Sequence, residues 1–155
     1  MSATTLAAPT TARSDSPVRN GALAGLAGGA VFGLLMAGAD MLPMVGLLIG
    51  VDNAIVGFLV HLVVSAVVGG LFGLLSRGFA DNVFRIYLLG MLYGVAWWLV
   101  GALIIMPLWL SVTADSAMSD MVFVVGNMQW LSLFGHVFFG LVTGMSLHAL
   151  RGHAR

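Results

Sequence analysis

Residues 54–75 read AIVGFLVHLVVSAVVGGLFGLL, and Ser76, Arg77 and Gly78 follow them. The stretch has no charged side chain and a single histidine, His61. Crossing the hydrocarbon core of a bilayer takes roughly 20 residues at about 1.5 Å each. Backbone groups cannot stay unpaired in lipid, so a stretch of this length and apolarity is expected to be a transmembrane helix. Working outward, three further runs have the same character, at about residues 21–42, 86–110 and 130–150. Pro43 is expected to stop the first, Pro107 to interrupt the third near its end, and Arg151 to close the fourth. The alternating pattern of an outer-membrane barrel is absent. The expectation is an all-α membrane protein with four transmembrane helices in one domain over residues 20–151, with the lipid bilayer as its principal partner.

Composition agrees. Of 155 residues, 60% are hydrophobic and 8% charged, whereas ordinary soluble domains are about a quarter charged. The chain has no cysteine, which excludes disulfide scaffolds, CxxC redox sites, zinc ribbons and thiol nucleophiles. Its basic residues are all arginine and its acidic residues all aspartate, in equal number, so no basic face is offered to nucleic acid. There is no P-loop, HExxH or GxSxG elbow, and no enzymatic activity is expected.

Residues 1–19 are rich in alanine, serine and threonine; such a composition buries too little apolar surface to order itself and reads as a disordered tail. Arg19, the apolar run from Gly21 and the triplet Ala37-Gly38-Ala39 imitate a signal peptide, but the run exceeds the usual apolar region of one. Residues 152–155 read as a second short tail.

The arginines set the orientation. Arg13 and Arg19 precede the first helix, Arg77 and Arg85 lie between the second and third, and Arg151 and Arg155 end the fourth. With four spans these regions share one side, and the positive-inside rule makes it the cytoplasm, so both termini are expected there. Asp52, Asp115 and Asp120 fall on the opposite side.

The chain also reads as one hairpin written twice. His61 precedes Gly69 by eight residues, as His136 precedes Gly144; the distance on to Arg77 is sixteen from His61, and to Arg151 fifteen from His136. Pro43 and Pro107 stand at matching places in the preceding helices. A unit repeated without inversion gives parallel repeats about an axis along the membrane normal. Within each helix small or special residues recur at every fourth position: Gly21, Gly25, Gly29 and Gly33; Gly57, His61, Ser65, Gly69 and Gly73; Gly90, Gly94, Trp98 and Ala102; Ser132, His136, Gly140, Gly144 and His148. Such stripes let helix backbones approach closely in lipid, within a four-helix bundle or between copies of the chain.

His61 and His136 are the candidate site. Each lies roughly 12 Å inside the outer end of its helix, and ionisable groups at that depth face a partner, a cavity or a ligand. One reading is a cofactor site, a bis-imidazole haem or a shared metal such as copper. The other is that each imidazole donates a hydrogen bond to a neighbouring helix. Met36, Met41 and Met44 near the first outer turn, and Met106, Met118, Met121 and Met128 near the second, add thioethers that suit Cu(I) but also serve as flexible apolar filler. Asp40 either accepts a hydrogen bond from His61 or faces water. His148, Arg151 and His153 are expected to form a solvated cationic end. Trp109 and Trp130 read as interfacial anchors, while Trp97 and Trp98 need acceptors inside the bundle. The connection from Ser111 to Gln129 is expected to lie on the membrane surface or cover the outer mouth.

The paired helices with their histidine–glycine spacings and with Pro43 and Pro107 resemble small four-span bacterial inner-membrane proteins of the YagU type over roughly residues 20–150. That resemblance implies a bacterial plasma-membrane location and no particular activity. The functional expectation is a structural or accessory component of a membrane assembly, partnered by other membrane proteins or by itself. The alternative is a haem- or metal-binding protein using His61 and His136.

Overall fold

The computed structural model describes residues 16–79 and 82–152. Residues 1–15, 80, 81 and 153–155 lie outside that description, and with them most of the expected N-terminal tail, Arg13, Asp15, His153 and Arg155. The described residues form helices and turns without a strand. Four helices are long and apolar enough to cross a membrane: Pro17–Gly38, Ala54–Gly78, Val83–Thr113 and Asn127–Gly152. The protein is therefore a multi-pass integral membrane protein.

Helix α1 (Pro17–Gly38) begins inside the segment expected to be tail. Ser16 caps it by accepting from the Arg19 N–H, and Pro17 occupies its first turn, where a missing donor costs nothing. Pro43 does not end this helix. The chain turns at Asp40, in the left-handed region at φ 53°, and Pro43 then opens the short helix α2 (Leu42–Gly46). The same rule explains both prolines: the first turn has no use for their absent N–H. Helix α3 (Ala54–Leu75) matches the expected span and starts at Asn53, whose Oδ1 accepts from the N–H groups of Ile55 and Val56.

The third span consists of α4 (Val83–Trp97), a π-helical segment (Trp98–Ile105) and α5 (Met106–Thr113). It runs beyond Pro107 because that proline sits in the first turn of α5. Proline cannot donate back to the carbonyls of the preceding turn, and the freed Leu103 carbonyl accepts instead from the Phe123 N–H of the loop after α5 at 3.1 Å. The last span is α6 (Asn127–Gly152), which includes Gly152, the first residue of the expected C-terminal tail.

Helix α1 packs between α3 and α6, and α4 packs on the far side of α6. The glycine stripes form these contacts. A methyl group at Gly25 would stand 2.7 Å from the Gly69 Cα, one at Gly73 2.9 Å from the Gly21 Cα, and one at Gly94 2.8 Å from the His136 carbonyl carbon. At Gly29 it would meet the Ser65 Cβ at 2.5 Å, at Gly33 the Phe58 ring at 2.9 Å, at Gly140 the Gly94 nitrogen at 3.1 Å, and at Gly144 the Ile86 carbonyl at 2.9 Å. Large side chains point outward, with Ile55 73% and Phe84 73% exposed, as lipid solvation permits.

The fourth side is different. Helices α3 and α4 do not pack closely; large side chains bridge them, Tyr93 donating to the Val68 carbonyl at 2.8 Å and lying tilted against Phe72 at 5.1 Å. A twofold axis relating the hairpins would make this side equivalent to the tight α1–α6 side. Matching Pro43 to Pro107 and His61 to His136 shows why it is not. Gly28 and Phe32 of α1 correspond to Leu92 and Ala96, and Gly135 of α6, which receives the Phe32 ring, corresponds to Val60. Bulk stands where a close approach would need glycine.

Arg151 does not lie free in water. Its guanidinium crosses from α6 to the end of α3 and donates to the carbonyls of Gly73 and Ser76 at 3.1 and 3.3 Å and to Ser76 Oγ at 3.2 Å. A cation there satisfies orphan carbonyls and complements the α3 dipole. Arg151→Gln should lower unfolding stability in detergent by about 1–3 kcal/mol, the range for charge-assisted hydrogen bonds. An unchanged thermal midpoint would rule out a capping role. His148 is half-buried, edge-on to Tyr87 at 6.4 Å.

Candidate functional site: a cavity with two imidazoles

The loose side of the bundle borders a cavity of about 560 Å³ in the half of the protein away from the described chain ends. Its walls come from α1, α3, the π segment, α5 and α6, and its rim from the connections that follow α1 and α5. Met118 and Met121, in the connection after α5, line its rim. Trp109 Nε1 ties α5 to the Leu48 carbonyl at 2.8 Å, and Trp98 Nε1 ties the π segment to the Gln129 carbonyl at 3.0 Å. Trp130 stacks on Trp98 at 6.2 Å, so it braces the bundle as well as facing its rim. The thioethers singled out from sequence, from Met36 to Met128, converge on this one space. Flexible, polarisable side chains of this kind suit a cavity that adapts to its contents.

His61 and His136 line the same cavity. His61 lies on the α3 face that meets α1, and its Nε2 is 3.0 Å from the Gly29 carbonyl. His136 turns back along its own helix, with Nδ1 2.8 Å from the Ser132 carbonyl and 3.3 Å from Ser132 Oγ. A carbonyl only accepts, so in each neutral ring the bonded nitrogen carries the proton and the other presents a lone pair. His61 thus offers Nδ1 and His136 offers Nε2. The one fully enclosed side-chain polar atom without a partner among the described residues is Thr143 Oγ1; the two imidazole lone pairs are not sealed in protein.

Phe32 packs against both rings. Its ring centre is 5.2 Å from that of His61 and 4.8 Å from that of His136, both edge-on. A point about equally near both rings falls within the footprint of a macrocycle clamped between them, so a bis-imidazole haem requires Phe32 to move. No group of three or more histidine, aspartate or glutamate side chains among the described residues is placed to hold a metal ion. Asp40 is exposed at the cavity rim and is not hydrogen-bonded to His61. The cavity itself was not readable from the sequence. Its traces were the histidine pair and the outer methionines, but nothing in the sequence showed that they shared a space.

No protein-family model, curated protein or solved structure matches the chain, so the functional reading stands on these residues.

Proposed function

We propose that this is a non-enzymatic accessory protein of a bacterial plasma membrane that holds a small, mostly apolar molecule in its outer-half cavity. In this reading both termini are cytoplasmic, the two hairpins are parallel repeats of one unit, and the protein is kin to the YagU-like proteins. The cavity carries the proposal. At about 560 Å³ it falls within the range of about 300–1,000 Å³ typical of small-molecule sites, and it has their usual make-up of apolar walls with a few convergent polar groups. The one-sided arginines support the orientation.

The test is native mass spectrometry of the purified protein, with an absorption spectrum and metal analysis. The expected result is an organic molecule retained at up to one per chain, lost when Ala102→Trp fills the cavity. A Soret band or stoichiometric copper, abolished by His61→Ala and His136→Ala, would replace this reading with the cofactor alternative. A C-terminal tag labelled by an impermeant reagent on intact cells would reverse the orientation.

A further inference from the structure

Resting on the cavity-binding reading, we propose that the occupant is an alcohol or phenol dissolved in the bilayer, which enters between α3 and the π segment and donates its O–H to His61 or His136. Two observations carry this. The first is where the cavity opens. Val64 on α3 and Ile105 at the end of the π segment both line it, yet they are 47% and 46% exposed. Both belong to membrane-spanning helices, so the gap between them faces lipid, on the one side that glycine contacts do not close. A molecule reaching the cavity this way comes from the bilayer, where apolar compounds concentrate.

The second is the polarity of the recognition groups. Both ring N–H groups are already spent on carbonyls, of Gly29 and of Ser132, so the imidazoles offer a ligand acceptors and not donors; Ser65 and Ser132 also line the cavity and add hydroxyls that can do either. A ligand whose polar end only accepts, such as an ether or a ketone, finds no imidazole partner, whereas a hydroxyl does. The thioether and aromatic walls then take the apolar body.

The full chain in phosphatidylcholine nanodiscs, titrated with farnesol and with farnesyl methyl ether, tests the proposal by native mass spectrometry. Farnesol should bind saturably and the ether about tenfold more weakly, the cost of leaving a buried acceptor unpaired. His61→Leu with His136→Leu should bring the two probes to equal affinity, while His61→Leu with the acceptor-keeping His136→Gln should retain a preference for the alcohol. Val64→Trp with Ile105→Trp should slow farnesol loading, because two indoles would fill the gap between α3 and the π segment. Equal affinity of the two probes for the wild type would overturn the hydroxyl preference, and an unchanged loading rate in the tryptophan variant would overturn lateral access. No saturable binding of either probe would instead overturn the cavity-binding reading.

Discussion

Gly69→Val should cost the protein about 3 kcal/mol or more of stability in detergent, enough to prevent its accumulation in the membrane. A methyl group at Gly69 would stand 2.5 Å from the Gly25 Cα and 2.8 Å from the Gly25 nitrogen. These are backbone atoms of the facing helix and cannot rotate away, so α1 and α3 must separate along their shared stripe. In lipid no hydrophobic gain drives helices together, and association rests on close packing. Overpacking a well-fitted contact typically costs about 1–3 kcal/mol, occasionally more; the upper end applies where the obstacle is main chain. Gly38→Ala is the control, because a methyl group there meets nothing within 4 Å. Thermal unfolding followed by near-ultraviolet circular dichroism should separate the two variants. Equal midpoints would mean that α1 and α3 are not this close.

Phe32→Ala is expected to cost a comparable amount, about 3–5 kcal/mol, the range for truncating a buried aromatic ring. Phe32 is 5% exposed; it fills the notch left by Gly135 and lies edge-on to both imidazoles. Its loss leaves a void beside the binding cavity that the surrounding glycine-packed helices cannot collapse to fill. Haem titration adds a second readout. With the ring in place the wild type should give no low-spin bis-imidazole spectrum, since Phe32 lies edge-on against both His61 and His136 and a macrocycle held by the two rings would overlap it. A wild-type spectrum of that kind would show the ring to be displaceable. A Phe32→Ala protein as stable as the parent would show it to be peripheral to the core.

Much of this molecule is legible in one dimension because lipid is a demanding solvent. It requires continuous apolar helix, and the stretch at residues 54–75 appears in the structure with the bounds read from its composition. The four-residue spacing of small side chains likewise marked the faces along which helices meet, because residues four apart lie on one face whatever the helix packs against. Local chemistry was less transparent at the prolines. Pro43 and Pro107 read equally well as helix stops or as first-turn residues, and which applies depends on whether the chain just before them has turned, as it does at Asp40, or runs on through a π segment whose freed carbonyl finds a donor in the outer loop. Arg151 reads from the sequence as solvated for a related reason: its partners at Gly73 and Ser76 belong to a distant part of the chain.

The amino-acid sequence by itself determined the number of crossings, the helical class, the small-residue faces and the pair of imidazoles within the spans, since each follows from neighbours within a turn or from the solvent around the chain. Only the tertiary structure decided which side of the bundle stays open. That outcome depends on how facing residues far apart in sequence fit together: Gly28 and Gly135, which receives the Phe32 ring, close one side, while Leu92 and Val60, at the matching positions, leave the other apart. The space between helices is a property of pairs, and a linear chain does not state its pairs.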